Sequence, residues 1–195
     1  PRQLPDQWNA LSDSPVPGGT DSIVTGRSGA IDVVSKPSGA TAMLDVQAGS
    51  PLIYPATLRL LEISNQDELH VSDMAIEQIA YDTGDLSFQQ YAQQYLTESL
   101  NRIIPYQLQD YGITGADADK LKPLLAGGMK AFLAGDEQKA WQQLPDSSRT
   151  RVEQMFYGGN TAKAEIGGLI YGFYHDTSPS DKDVTLNLSK GTMQE

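Results

Sequence analysis

The segment SFQQYAQQYLTESLNRII (87–104) places the strongest constraint on the fold of this chain. Ser87 and Gln90 have the spacing of a capping box, in which two side chains satisfy the first free N–H groups of a helix. Apolar residues then recur at the spacing of one helix face, at Phe88, Tyr91, Ala92, Tyr95, Leu96, Leu100 and Ile103. The pattern predicts a helix over 88–103, which Pro105 is expected to end.

Further helices are predicted on both sides of this segment. In HVSDMAIEQIAYDTGD (70–85), Ser72 has the character of an N-cap and Gly84 that of a stop, which predicts a helix beginning at 72. The stretch 115–159 predicts three short helices, separated at Gly135-Asp136 and at Leu144-Pro145. We therefore expect a mainly helical part from 72 to 174.

The residues before this helical part have the character of strands. AIDVV (30–34) and TAMLDV (41–46) flank the turn-forming KPSGA (36–40), a combination that predicts a β-hairpin. ATLRLLEI (56–63) is ambiguous between helix and strand, and VTLNL (184–188) alternates like a strand that joins the N-terminal sheet. The predicted fold class is α+β, with a β-rich module over 23–63, the helical part, and a polar tail with a strand over 175–195. Together these form one domain, 23–195.

Residues 1–22 are predicted to be a flexible leader. They are rich in Pro and Gly, and their apolar residues are isolated, with Leu4, Trp8 and Leu11 as candidate partner-binding anchors. The start at Pro1 without Met and the absence of Cys favour an exported chain, with a signal peptide and a lipid anchor upstream of Pro1. The alternative is a chain shortened for expression. If the chain is exported, we expect it to lie in the periplasm, in association with the outer membrane.

The charge pattern restricts the class of partner. The net charge is −11, and between Leu60 and Asn101 there are eight acidic residues and no Lys or Arg. Such a surface repels nucleic-acid backbones and anionic headgroups, so we expect no nucleic acid and no membrane contact except through the lipid anchor. The acidic stretch is either a solvated face or a docking face for a protein partner.

No motif predicts catalysis or a cofactor. The two histidines, His70 and His175, lie far apart in the sequence, and Asp82-Thr83-Gly84 lies between predicted helix ends rather than in the buried strand-loop of an aspartic protease. We therefore expect the chain to bind no cofactor and no metal and to have no enzymatic activity. The aromatic row of Phe88, Tyr91 and Tyr95 is either core or a partner-binding stripe.

Four stretches of the chain carry a family resemblance. PLIYPATL (51–58), NQDELHVSD (65–73) with Ala80, and FQQY (88–91) resemble DotC-type lipoproteins of type IVB secretion and conjugation systems, as does RVEQMFYGG (151–159) more loosely. The resemblance implies a scaffold associated with the outer membrane, without catalysis. The prediction is a non-catalytic adaptor of a bacterial cell-envelope assembly whose partners are other protein subunits. The alternatives are an acidic inhibitor or immunity-type binding module, and a hydrolase with a carboxylate dyad.

Overall fold

The computed structural model describes residues 22–26, 29–38, 41–64, 67–158, 161–175, 181–188 and 192–194. Strands in these ranges are β1 (Ser22–Thr25), β2 (Asp32–Ser38), β3 (Thr41–Gln47), β4 (Thr57–Ile63), β5 (Glu68–Ala75), β6 (Val184–Asn187) and β7 (Thr192–Gln194). Helices are α1 (Phe88–Asp110), α2 (Gly115–Ala134), α3 (Glu137–Gln143), α4 (Asp146–Tyr157) and α5 (Thr161–Tyr174). The predicted α+β class is confirmed. Leu4, Trp8 and Leu11 lie outside the described residues.

The first sheet contains three strands in the order β1-β3-β2. β2 and β3 run antiparallel, with Val33 opposite Val46, so the predicted hairpin is confirmed, but residues 36–38 of the predicted turn 36–40 belong to β2. Its turn residues, 39 and 40, are outside the described ranges. β1 lies parallel to β3 on the other side, with Ser22 opposite Leu44. The sheet therefore begins at the last residue of the predicted leader.

The second sheet contains four antiparallel strands in the order β4-β5-β6-β7. The ambiguous segment 56–63 is the strand β4, and β6 confirms the strand expected near 184–188. β6 pairs with β5 across more than a hundred residues of sequence, with Leu186 opposite Leu69. The N-terminal module is therefore completed by the C-terminal tail.

The prediction of a helix that begins at Ser72 is wrong, because residues 68–75 form the strand β5. Leu69 and Val71 alternate with exposed or half-buried neighbours, and their side chains are buried against the first sheet. β4 and β6 supply hydrogen-bonding partners on both sides of this segment. Local capping signals at Ser72 cannot compete with two ladders of backbone hydrogen bonds. The mainly helical part accordingly starts at Phe88 rather than at 72.

One hydrophobic cluster joins the two sheets. Val33, Leu44 and Val46 come from the first sheet, and Leu69, Val71 and Leu186 come from the second; all six are buried together. Alternation along each strand directs these side chains to the same inner face. The β-module is thus a small two-layer unit held by its own core.

Helix α1 begins as predicted but continues beyond the predicted end. The Ser87 hydroxyl accepts the Gln90 N–H at 3.2 Å, and the Gln90 side chain accepts the Ser87 N–H at 3.0 Å, which confirms the capping box. Pro105 lies inside the helix, which continues to Asp110. A proline in a helix removes one hydrogen bond and crowds the preceding turn. The burial of Leu108, one turn further along the same face, keeps the helix intact.

The helices form a second core beside the β-module. The three predicted short helices are confirmed as α2, α3 and α4, and α2 ends at Gly135 in the left-handed conformation that suits glycine. Side chains of α1, α2, α4 and α5 meet in one cluster that includes Ile104, Leu125 and Ile170. The Ile31 N–H donates to the Leu133 carbonyl at 3.3 Å and so ties the two parts together.

Candidate interaction surface

Among the strands that the structure describes, β4 is an edge strand of the second sheet. Its partner β5 lies on one side only. The Ile76 N–H donates to the Ala56 carbonyl and the Ser64 N–H to the Glu68 carbonyl, so the even-numbered residues between them exchange hydrogen bonds with β5. The N–H and C=O groups of Leu61 and Ile63 therefore point away from the sheet. No described residue forms a backbone hydrogen bond with these groups.

β4 has exposed apolar side chains on both faces of the sheet. Leu58 and Leu60 lie on the outer face, where Met74 of β5 stands opposite Leu58 and all three are exposed. On the other face, Ile63 lies beside the buried Leu69 but is itself 74% exposed. Long apolar edge strands are templates for pairing with another chain, and proteins usually protect them with Lys, Pro or a bulge. Thr57–Ile63 contains no Lys or Pro. We name this feature the β4 edge.

The one cation of β4, Arg59, is turned inward. Its side chain is 2% exposed and forms an ion pair with Asp73 at 3.3 Å. The guanidinium also donates to the carbonyl oxygens of Gln47 at 2.9 Å and Asp181 at 2.7 Å. Burial lowers the pKa of Arg59, and the surrounding carboxylates oppose that shift. Arg59 is thus a cross-link between the second sheet, β3 and the loop before β6.

Three carboxylates of the β-module are buried, and Asp32 and Asp181 among them act on Arg59. Asp32, Asp45 and Asp181 are buried, and the Asp181 carboxylate accepts the Val33 N–H at 2.8 Å. Burial raises the pKa of Asp45 and of Asp73, and the Arg59 charge opposes the shift at Asp73. A carboxylate dyad for hydrolysis must reach its substrate from a cleft. These groups are enclosed between strands, so their arrangement fits a structural network.

The aromatic row predicted on helix α1 lies outside the core. The rings of Tyr91 and Tyr95 are stacked with centroids 6.5 Å apart, and Tyr81 packs on Tyr91 at 5.9 Å. Tyr95 is 60% exposed, whereas Phe88 and Tyr91 are half-buried. None of these residues belongs to the helical core, whose α1 contribution comes from Leu96, Leu100, Ile104 and Leu108. We name Tyr81, Tyr91 and Tyr95 the tyrosine row.

The β4 edge and the tyrosine row are connected by the first turn of α1. The Gln89 side-chain amide donates to the Ile76 carbonyl at 2.8 Å, directly after β5. One turn later, the Gln93 amide lies 3.5 Å from the Tyr54 hydroxyl, just before β4. The tyrosine row therefore lies near the Thr57 end of β4. Leu60–Ile63 and the tyrosine row fall within the stretch 60–101, which has eight acidic residues and no Lys or Arg.

Both histidines have structural environments. The His70 Nδ1 lies 3.1 Å from the Thr185 hydroxyl across the β5–β6 pair. The His175 ring stacks on Tyr171 with centroids 3.5 Å apart and packs on Trp141 at 4.3 Å. Burial lowers the pKa of His175. The Asp82 carboxylate of the Asp-Thr-Gly triplet accepts the Gly84 N–H at 2.9 Å in an exposed turn.

The described residues contain neither a candidate metal site nor a candidate membrane span. No group of three or more His, Asp or Glu side chains in these ranges is arranged to hold a metal ion. None of the described helices combines the length and apolarity required to cross a bilayer. Neither a comparison with models of protein families nor a search of curated proteins found a match to the chain. The feature that bears most directly on function is therefore the β4 edge.

Sequence reasoning placed only part of this surface. Phe88 and Tyr91 were singled out by their helical spacing, and Tyr91 lies in the tyrosine row, whereas Phe88 is half-buried at the start of the same helix. The β4 edge was missed, because edge position depends on which strands pair and is not encoded in 56–63 itself. Trp8, Leu4 and Leu11 remain predictions.

Proposed function

We propose that this chain is a non-catalytic adaptor that binds an extended segment of a partner protein along the β4 edge. The observation that carries the proposal is the open backbone of Leu61 and Ile63 in an apolar strand. In β-augmentation, a partner strand pairs with such an edge, and its side chains find pockets on alternate faces. The tyrosine row adds amphipathic rings of the kind that dominate binding energy in protein interfaces.

The charge of the surface favours a basic or neutral partner. Glu62 lies in β4, Glu68 in β5, and Asp82 and Asp85 in the loop before α1, with no exposed cation among them. A partner strand that carries Lys or Arg beside its apolar residues would meet complementary charge, which raises the association rate and excludes acidic competitors. A second copy of this chain would be repelled electrostatically, because each copy has a net charge of −11.

The assembly proposed for this adaptor is a bacterial cell-envelope complex, in the periplasm and associated with the outer membrane. The resemblance of 51–96 to DotC-type lipoproteins supports this location. Fractionation of the native precursor with lipid labelling tests the location independently of the binding site. Recovery of an unlipidated precursor in the cytoplasm would contradict it.

The acidic stretch 60–101 also favours a second candidate, an immunity-type module that blocks a basic toxin or enzyme. The two candidates differ in the form of the complex. An envelope adaptor should co-purify with several subunits, whereas an immunity-type module should form a one-to-one complex. That complex would be weakened strongly by salt, because it would depend on charge more than on strand pairing.

The binding site is tested by photo-crosslinking in native cells. A photo-reactive residue at Glu62, on the outer face of β4, should capture a partner, and the same residue at the exposed Gln138 of α3 should not. Leu61→Pro should abolish capture, because it removes an outward N–H while leaving the hydrogen bonds to β5 intact. Leu61→Ala keeps that N–H and should reduce capture only modestly. Equal capture by both variants would contradict strand pairing.

A further inference from the structure

A cleft on the helical part, remote from the β4 edge, carries a separate inference. It has a volume of about 220 Å³ and lies where α2 and α5 begin and α4 ends. Leu121 and Met155 form its apolar floor. Arg151, Gln154, Lys163 and Asp117 supply its polar wall. The cleft therefore combines an apolar base with a charged rim.

The rim has more positive than negative charge. Lys163 Nζ lies 3.0 Å from the Asp117 carboxylate, and Lys120 and Arg151 act on the same carboxylate from a greater distance. The hydrogen bond from Lys163, followed by these charges, lowers the pKa of Asp117. No carboxylate of the described residues forms an ion pair with Arg151. Two cations, Arg151 and Lys163, thus line the cleft beside one carboxylate on a protein whose net charge is −11.

We propose that this cleft binds a small monocarboxylate with a short alkyl chain, the carboxylate on Arg151 and Lys163 and the chain on Leu121 and Met155. A guanidinium presents two parallel N–H donors that match a carboxylate. The volume is below the range typical of drug-sized ligands, which restricts the chain to a few carbons. Asp117, held beside Lys163, would repel a dianion such as phosphate more than a monoanion.

The test is a titration with sodium hexanoate followed by the NMR signals of the Met155 and Leu121 methyl groups. We expect saturable shifts with a dissociation constant in about the millimolar range. Acetate lacks the alkyl chain and hexanamide lacks the charge, so both should bind more weakly. Inorganic phosphate is the third comparison, and binding tighter than that of hexanoate would show that the carboxylate assignment is wrong.

Two variants on the same helix separate a site from general charge. Arg151→Gln should weaken hexanoate binding by about tenfold or more, since it removes charge-assisted hydrogen bonds. Arg149→Gln is the matched control, because Arg149 pairs with Asp146 outside the cleft, and it should leave the affinity unchanged. Both residues are on the surface, and thermal melts verify folding. An equal loss in the two variants, or no saturable shift at about 10 mM hexanoate, would overturn the proposal.

Discussion

Replacement of Arg59 by Met should destabilise the β-module severely. Met preserves much of the apolar stem but removes the guanidinium, which is buried among Gln47, Asp73 and Asp181. The variant loses two hydrogen bonds shorter than 3 Å and leaves Asp73, only 12% exposed, without its nearest cation. Breaking a buried ion pair by removing one partner costs about 3–5 kcal/mol. A loss of about this size is expected in the free energy of unfolding.

The assay is urea unfolding followed by circular dichroism, with Lys163→Met as the control. Lys163 also forms an ion pair, but with both side chains more than half exposed, so its removal should cost less than about 1 kcal/mol. Adding Asp73→Asn to Arg59→Met should recover part of the loss, because it neutralises the unpaired carboxylate. A loss below about 1 kcal/mol for Arg59→Met, or no recovery in the double variant, would refute the role given to the network.

Three further perturbations test other parts of the structure. Asp45→Asn should raise the free energy of unfolding at pH 7, since burial raises the pKa of Asp45 and penalises its charge. When urea unfolding is repeated at lower pH, this gain should disappear below the ordinary pKa of 3.8, where the carboxyl group is protonated in the folded and the unfolded chain. Burial raises the pKa of Tyr174 to about 12, so the stability that its hydroxyl contributes should be lost as pH rises from 10 to 12. Tyr174→Phe should lower the free energy of unfolding by about 1 kcal/mol at neutral pH and should not show that alkaline loss when urea unfolding is repeated at high pH. Gly167→Ala places a Cβ 2.7 Å from Met155 Cβ and should lower the thermal midpoint, whereas Gly172→Ala meets nothing within 4 Å and should not.

The sequence predicted the elements whose information is local. The capping box at Ser87 and Gln90 fixed the start of α1, and the Gly135-Asp136 pair separated α2 from α3, because caps act within a few residues. The hairpin of β2 and β3 likewise depends on neighbouring segments. These predictions required no knowledge of tertiary contacts.

The errors arose where distant contacts decide the local structure. Residues 68–75 form a strand because β6 pairs with them from the far end of the chain. Pro105 stays inside a helix because Leu108 is buried beyond it. The partners of Arg59 come from three separate segments, and no spacing in the sequence brings Gln47, Asp73 and Asp181 together. Tertiary packing overrides local propensity at each of these positions.

The same reasoning explains what could be predicted of the candidate interaction surface. Helical spacing identified Tyr91 and Tyr95 as one row but left open which way the row faces. The direction is set by Leu100, Ile104 and Leu108, which are buried against the other helices and turn the tyrosines outward. The β4 edge depends on strand order, which only the complete fold defines.

The most direct test of the account compares Leu61→Pro and Leu61→Ala in the crosslinking assay at Glu62. Both variants shorten the same exposed side chain, but only proline removes the outward N–H of the β4 edge. The account predicts that the proline variant loses the crosslinked partner and keeps the wild-type urea midpoint, while the alanine variant retains most of the capture. Ile63→Pro should repeat the result at the end of the strand. Undiminished capture by both proline variants, in folded protein, would contradict binding along the β4 edge.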